Sequence, residues 1–458
     1  MKKLLSILIG FLLCCQFLAA QNSKPIECGT GMSFSKRVPV AEPKYYDMYG
    51  NAYSEGELIP QKTTTHCDNL TKFKLNFSDD VTSFDKEIIC DVFKYLEDEV
   101  FLDNPLTKIQ IEIRYNYPFS FDPNEQMPTS VAADALPFYA DRDCSPAFPV
   151  PFLTMLGDVS HSKVNGGRIR LNTAYKNQWN HSPHAPTPSG TWVDLYSVAL
   201  HEAMHLMGFA SRLKPDTKLP TKLASGAKFS NWDQYLFDNA NKQPLITDIS
   251  TDHCCPNHEF NKSATSPMNQ SCNSQISFSD KNGNSLASLS CHNLSIGALS
   301  HINDCVGNKE FVMNTSITQN QTKRVLLKEE LQILCTLGYT IKTPQGEKCS
   351  TNAFLAIEDC DTKIYTLKDN KGQFNVLDND LKQANYLFKV TNYNKQGLSL
   401  IISKNGLLEY TIKQKGEWIV EYEISDDKGI SCSKASLKIV CIDEELGNCC
   451  PEKQCFVS

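Results

Sequence analysis

A metal site is indicated by five residues in the middle of the chain, His201-Glu202-Ala203-Met204-His205. On a helix, residues four apart share a face, so both imidazoles can bind one ion while Glu202 lies close to a water molecule on it. Zinc suits imidazole ligands and lowers the pKa of its water to roughly 7, so a carboxylate can take the water proton and pass it to a leaving amine. With 10 histidines and 52 acidic residues in 458 positions, an accidental match is rare. The run therefore predicts a catalytic zinc site, and the alternative is two surface histidines on an amphipathic helix.

The third ligand of such a site does not follow from this run. The extended form of the motif has a third histidine three residues after the glycine, and Ser211 occupies that position after Gly208. A neutral hydroxyl is a poor zinc ligand, so either the site is broken or the third ligand comes from elsewhere. His301 is a candidate because Met313 follows it twelve residues later, as in a ligand histidine that precedes a methionine-containing turn. The competing candidates are His253, His258 and His292.

Three further histidines precede the predicted helix. Solvated positions in polar loops are predicted for His161, His181 and His184. We therefore do not expect them in the metal site.

Together, the HExxH run, Gly208-Phe209, His301 and Met313 resemble the leishmanolysin-like metzincins over roughly residues 73–339. In that family of zinc peptidases, HExxHxxGF is followed by a long insertion and only then by the third histidine and its Met-turn. The resemblance implies that the zinc ligands are His201, His205 and His301. It also implies that Glu202 is the general base and that Met313 forms the apolar floor beneath the metal.

A strand opened by two glycines, Gly166 and Gly167, is predicted before this motif. Such glycines often mark a bulge or the close approach of another backbone. The resemblance implies that this strand, from Gly166 to Asn172, is the edge strand to which an extended peptide substrate would add itself. The residues expected to contact the substrate are Gly167, Arg168, Ile169 and Arg170.

The hydrophobic pattern divides the chain into an α+β part and an all-β part. Alternation predicts strands over 73–77 and 108–115, and helical spacing predicts helices over 83–100, 191–206 and 328–337. After residue 353, alternation interrupted by turn residues predicts a small β-sandwich. The predicted segments are a signal peptide at 1–20, a lead-in or pro-segment at 21–67, a peptidase domain at 68–342, a linker at 343–352, the sandwich at 353–443 and a cysteine-rich tail at 444–458. The peptidase domain is predicted as an α+β metzincin-type fold with a mixed sheet, an active-site helix and a Met-turn.

The N-terminal residues predict export. A charged start, an apolar run over 4–18 and the small pair Ala19-Ala20 are typical of a secretory signal peptide. This run is shorter than the roughly 20 apolar residues that span a bilayer, and no later segment is apolar enough, so we expect a secreted, extracellular protein without a membrane span. The chain has 19 cysteines, which favours disulfides in an exported protein. Cys67 is accordingly predicted as half of a disulfide, rather than as a thiolate that blocks the zinc ion in a precursor.

The C-terminal part resembles cadherin-like and other immunoglobulin-like bacterial modules. The resemblance rests on residues 375–380, 406–410 and 422–429. Such modules tether or space a catalytic domain, which implies contact with a cell surface or matrix. Calcium could bind to four aspartates of this part, because its ligands are carboxylate oxygens. The alternative is that these aspartates are ordinary turn residues. They are Asp378, Asp380, Asp426 and Asp427.

Charge and motifs together decide between classes of function. The formal net charge of -7 leaves no basic surplus to neutralise phosphates, so we expect no nucleic-acid partner. The leading hypothesis is a secreted zinc-dependent endopeptidase that acts on protein or peptide substrates. The alternative is a non-catalytic adhesin or binding protein with a degenerate peptidase domain. Ser211 and the long insertion between His205 and His301 favour this alternative, and the intact Glu202 opposes it.

Overall fold

The computed structural model describes residues 45–47, 52–58, 64–102, 105–115, 131–140, 146–156, 161, 163–181, 192–214, 222–223, 228–248, 258–261, 276–280, 282–289, 298–303, 311–317, 321–342, 359–365, 367–377, 380, 386–425 and 432–441. The predicted signal peptide, linker and C-terminal tail lie outside these ranges. The described part that carries the motif combines helices and strands, which confirms the α+β class.

A five-stranded mixed sheet is the frame of the α+β part. In chain order its strands are β1 Thr64–His66, β2 Phe73–Phe77, β3 Ile109–Tyr115, β4 Ala133–Pro137 and β5 Asn165–Leu171. They are arranged as β1-β2-β3-β5-β4, with β2, β3 and β5 parallel and with β1 and β4 antiparallel to their neighbours. The β-branched residues Ile109, Ile111 and Ile113 alternate along β3 and are all buried, which favours this strand.

The prediction that Gly167, Arg168, Ile169 and Arg170 form an edge strand is wrong. These residues belong to β5, which pairs with β3 on one side and with β4 on the other. Within the described residues, the sheet ends at β4 on this side and at β1 on the other. The glycines instead mark the close approach of a helix, because a Cβ atom on Gly167 would lie 2.5 Å from Leu206 Cδ2.

Five α-helices lie in the described residues. They are α1 Glu55–Leu58, α2 Ser83–Tyr95, α3 Val150–Met155, α4 Leu195–Leu206 and α5 Lys328–Leu337. The helix predicted over 83–100 is present, with a π-helical last turn at Leu96–Val100. Helix α4 begins later than predicted, because Asp194 caps it and accepts a hydrogen bond from the Ser197 amide. None of these helices has the length and apolar character needed to cross a membrane.

Short strands form further small sheets in the described residues of the α+β part. One four-stranded sheet consists of Tyr45–Tyr46, Ala52–Tyr53, Tyr139–Ala140 and Phe148–Pro149. A second consists of Leu236–Asp238, Gln243–Pro244, Ile276–Ser279 and Ser285–Ser288. Three pairs remain, namely Trp179–Asn180 with Val193–Asp194, Leu213–Lys214 with Lys222–Leu223, and Ile246–Asp248 with His258–Phe260.

Part of the predicted lead-in segment belongs to the hydrophobic core. Tyr45 and Leu58 are fully buried in the same apolar cluster that extends to Ile341. Cys67, which directly follows β1, forms a disulfide with Cys90 of α2, so the prediction of a disulfide at Cys67 is confirmed. Residues before position 68 therefore contribute to the fold that supports the motif.

The all-β part has its own core. Its strands are β6 Asp359–Tyr365, β7 Lys371–Asn375, β8 Leu387–Tyr393, β9 Leu398–Ile402, β10 Leu407–Ile412, β11 Gly416–Ser425 and β12 Cys432–Cys441. They form a sheet of order β6-β12-β11-β8 and a sheet of order β7-β10-β9. Trp418, Val420 and Tyr422 alternate along β11 and are buried with residues of the second sheet in one cluster. Two sheets around a common core agree with the predicted β-sandwich.

We predict that Gly167→Ala destabilises the fold by roughly 1–3 kcal/mol, the usual range for overpacking. The new methyl group would lie 2.9 Å from the Leu136 carbonyl oxygen, in addition to its contact with Leu206, and a backbone atom cannot move aside cheaply. Urea denaturation measures the loss of free energy of unfolding.

The matched control is Gly166→Ala. Its methyl group would meet the ring carbon Cγ of Pro151 at 2.7 Å, and a change of ring pucker can move this atom, whereas the Leu136 carbonyl oxygen moves only with its backbone. An equal loss of stability in both variants would contradict the explanation.

Candidate metal centre

Three histidine side chains converge in the α+β part. The Nε2 atom of His205 lies 3.1 Å from Nε2 of His201 and 3.2 Å from Nε2 of His301. Within the described residues this is the cluster that could hold a metal ion, and its ligand atoms lie within 4.8 Å of one another. The structure therefore brings together the three histidines that the sequence predicted as ligands.

Helix α4 places the first two histidines. It packs against α2 and against strands β4 and β5, and its apolar residues are buried in these contacts. His201 and His205 are one turn apart and thus share a face. His201 is buried, whereas His205 and His301 are partly exposed.

Backbone carbonyls orient both rings. The Nδ1 atom of His201 lies 2.7 Å from the Val312 carbonyl oxygen, and that of His205 lies 2.6 Å from the Phe209 carbonyl oxygen. A carbonyl oxygen only accepts hydrogen bonds, so each Nδ1 must carry the proton. In the neutral rings each Nε2 then offers a lone pair to the centre of the cluster.

The electrostatics keep these rings neutral. Burial lowers the pKa of His201 to about 3, with a further contribution from the charge of His301. Burial, followed by the charges of the other two histidines, also lowers the pKa of His205 well below its usual range. Unprotonated nitrogens at this distance repel each other unless a cation lies between them. Two nitrogens bound to one tetrahedral zinc ion at 2.0–2.1 Å would be roughly 3.3 Å apart, which the observed spacing fits.

Glu202 follows the first ligand on α4. It is buried, and burial raises its pKa well above the usual range, with a further contribution from the negative charge of Asp134. Asp134 lies on β4 and pairs with Arg170, whose Nη2 is 2.6 Å from Oδ2 of the aspartate. Burial also raises the pKa of Asp134, to about 6. A buried carboxyl group therefore directly follows the first ligand and lies near enough to Asp134 to be influenced by its charge.

The residues predicted to contact substrate are used inside the fold. Arg170 pairs with Asp134, and Arg168 donates to Glu112 from Nε at 2.7 Å. Ile169 is fully buried, and Gly167 lies against α4. These four residues support β4 instead of presenting an open edge.

Met313 lies in the turn that His201 contacts. It is fully buried, and its carbonyl oxygen accepts a hydrogen bond from the Ile302 amide at 2.7 Å. Ile302 follows the third histidine, so this turn contacts the segments of two candidate ligands. The prediction that the Met313 side chain forms a floor beneath a metal remains a prediction.

Ser211 has a structural task that sequence reasoning missed. Its amide donates to Oγ of Ser300 at 2.8 Å, and its own Oγ donates to Oδ1 of the buried Asp233 at 2.6 Å. Trp232 Nε1 donates to the Leu299 carbonyl oxygen at 3.0 Å. Ser211 thus stabilises the turn that precedes His301, although the extended motif has a histidine at this position. No spacing signal in the sequence links these segments.

The other histidines differ from expectation. The prediction that His161 is solvated is wrong, because it is buried and its Nδ1 lies 2.9 Å from the Tyr45 hydroxyl oxygen. His181 is partly buried and lies 2.7 Å from a carboxylate oxygen of Asp85, since its loop folds back onto the start of α2. His258 lies in the strand His258–Phe260. Outside the described residues are His184, His253 and His292.

The predicted calcium ligands are described only in part. The side chain of Asp380 is buried, and its Oδ1 accepts a hydrogen bond from the Tyr422 hydroxyl at 3.2 Å. This contact fits a structural role. Outside the described residues are Asp378, Asp426 and Asp427.

Comparisons with known proteins give little information about this chain. No protein-family model matches it, and no curated protein matches it. Among solved structures it is similar to the PKD domain from KIAA 1837 protein, with 18% identity over 22% of this chain and 94% of the other and a TM-score of 0.16. It is also similar to the PKD domain (329-428) from human KIAA0319, with 12% identity over 20% of this chain and 80% of the other and a TM-score of 0.15. The resemblance to leishmanolysin-like metzincins remains a prediction.

We predict that the purified protein binds one zinc ion per chain and that His301→Ala loses it. Removing one of three nitrogens takes away a ligand that the other two cannot replace. Zinc content after dialysis, measured by mass spectrometry, checks this. His161→Ala is the matched control, because this histidine is also buried but lies outside the cluster. Equal zinc content in both variants would contradict the assignment of His301.

We predict that the metal-free protein loses stability as the pH falls from 6.5 toward 3. The pKa of His201 is lowered in the folded state, so unfolding takes up a proton in this range. The stability that depends on the unprotonated His201 ring is fully present above pH 6.5 and is lost on acidification. Thermal unfolding in the presence of a chelator, at a series of pH values, measures the slope. His201→Asn lacks the titrating group and is expected to show a shallower slope, and identical slopes would argue against the prediction.

Proposed function

We propose that this protein is a secreted zinc-dependent endopeptidase that hydrolyses peptide bonds in protein or peptide substrates. The proposal is carried by the convergence of three imidazole nitrogens next to a buried glutamate on the same helix as two of them. A purely structural metal site has no need of that carboxylate, whereas hydrolysis requires a base close to the attacking water. The export part of the proposal rests on the signal-peptide pattern of residues 1–20.

Each residue of the site would have a separate task. His201, His205 and His301 would hold the zinc ion, which when bound supplies a Lewis acid and lowers the pKa of a water molecule to roughly 7. Glu202 would take the proton of the attacking water and transfer it to the leaving amine. Its position directly after the first ligand on α4 supports this task, because a general base must lie close to the attacking water.

Strand β4 is the best candidate for substrate binding. It ends the five-stranded sheet within the described residues and packs against α4. An extended peptide can add to such a strand through backbone hydrogen bonds, with little dependence on its side chains. Asp134 of β4 is close enough to influence the pKa of Glu202, so a peptide paired with β4 would have its backbone near the base. This replaces Gly167–Arg170 as the proposed substrate strand.

The alternative of a non-catalytic binding protein now has less support. It rests on Ser211 at the position of a zinc ligand and on the long insertion between His205 and His301. The hydrogen bonds of Ser211 to Ser300 and Asp233 give that position a reason of its own, since they hold the turn before His301. The all-β part is compatible with either function, because a sandwich can tether an enzyme or bind a partner.

We predict that Glu202→Gln lowers the rate of casein cleavage at least about 100-fold while the zinc content stays near one ion per chain. The amide cannot accept the water proton but fills the same space. Cleavage of a fluorescent casein, together with metal analysis of the same sample, separates loss of the base from loss of the ion.

Glu97→Gln is the matched control for this experiment. Glu97 is also buried, but it accepts hydrogen bonds from the amides of Thr71 and Lys72, away from the cluster. Its cleavage rate is expected to stay close to that of the unmodified protein. Full cleavage by Glu202→Gln, or an unmodified protein that neither binds zinc nor cuts casein, would reject the endopeptidase proposal.

A further inference from the structure

Two consecutive backbone carbonyls contact the segments of two candidate ligands. The Val312 carbonyl oxygen accepts the hydrogen bond from Nδ1 of His201, and the carbonyl oxygen of Met313 accepts one from the Ile302 amide. Ile302 directly follows His301. The position of the Val312–Met313 backbone therefore determines both the orientation of one ring and the placement of another.

A buried carboxylate holds this backbone. Oε1 of Glu330, in the first turn of α5, accepts the Met313 amide at 2.8 Å. The Glu330 side chain is fully buried, and the Val312 amide also stabilises its charged form. A carboxylate that accepts backbone amides binds them more strongly than a neutral acceptor would. Glu330 is thus well suited to fix the turn.

A buried lysine completes the support. Nζ of Lys323 donates to Oδ1 of Asn314 at 3.1 Å and to the Ser316 carbonyl oxygen at 3.1 Å. Its positive charge favours the ionised form of Glu330, against the effect of burial, which raises the pKa of that group to about 7. Both charged groups contact the same turn, from Met313 to Ser316.

Helix capping alone does not account for Glu330. Its Oε2 accepts the Leu327 amide at 2.8 Å, which is an ordinary bond of a glutamate in the first turn of a helix. Capping would use only this one oxygen. The second oxygen reaches 17 residues back along the chain to Met313. This second bond connects α5 to the candidate metal centre.

We propose that Glu330 is a positioning residue of the metal centre. It fixes the Val312–Met313 backbone, so that the Val312 carbonyl orients His201 and the Met313 carbonyl holds the segment of His301. The proposal rests on the metal site of the proposed function. It adds a residue that contacts neither the metal nor the substrate but determines how strongly the ion is bound. Partners of this kind typically change metal affinity 10–100-fold when they are replaced.

The test compares two variants at this position. Glu330→Gln keeps the size of the side chain but can accept from only one of the two amides. Glu330→Asp is one methylene shorter. It can still cap the helix, as Asp85 does at the same position of α2, but it does not reach Met313. Zinc affinity is measured by competition with a chelator, and the visible absorption of the cobalt-substituted protein reports ligand geometry. We expect roughly 10–100-fold weaker zinc binding and an altered cobalt spectrum in both variants.

Glu97→Gln is again the matched control, since it removes a buried carboxylate that accepts two backbone amides elsewhere. It is expected to lower the melting temperature but to leave zinc affinity and the cobalt spectrum unchanged. Folded Glu330 variants with the affinity and spectrum of the unmodified protein would overturn the positioning role. Equal weakening by Glu97→Gln would overturn it as well, because the effect would then be general loss of stability. An unmodified protein that binds neither zinc nor cobalt would instead reject the proposed function.

Discussion

The candidate metal centre depends on one electrostatic constraint, because the unprotonated Nε2 atoms of His201 and His205 lie 3.1 Å apart. His201 and His205 each use Nδ1 to donate to a carbonyl oxygen, so their Nε2 lone pairs face each other, and Nε2 of His301 lies 3.2 Å from that of His205. This arrangement is unfavourable in a buried region unless a cation compensates it. The surrounding fold must therefore hold these side chains in place.

The three candidate ligands depend on two different levels of structure. The first two need only helix α4, whose burial against α2, β4 and β5 fixes the face that carries them. The third needs tertiary contacts. Ser211 holds the turn before it through Ser300, and the Met313 backbone holds the residue after it. A local motif supplies two nitrogens and the base, and distant segments supply the third nitrogen and its orientation.

This division explains what could be predicted from the sequence. The HExxH run needs only the geometry of a helix, so its ligands and their shared face follow directly. His301 was found through its spacing from Met313. The position of β4 at the end of the sheet could not be found in this way, because strand order depends on pairing between distant segments. The edge position of β5 is implied only by the family resemblance, whereas its Gly167 marks the close approach of Leu206.

Long-range contacts also account for the other differences. The lead-in segment was too irregular to predict as core, yet Tyr45 and Leu58 are fully buried because they pack against residues far along the chain. The hydrogen bonds of Ser211 and Glu330 connect residues 89 and 17 positions apart, respectively. Periodicity reports only local structure, so neither contact leaves a signal in the sequence.

The central claim is tested most directly by diffraction from crystals of the zinc-loaded protein at wavelengths on both sides of the zinc absorption edge. The account predicts one anomalous peak per chain, with Nε2 of His201, His205 and His301 at about 2.0–2.1 Å from it. It is contradicted if the ion lies elsewhere, or if the ring of His301 is beyond bonding distance and no other side chain replaces it.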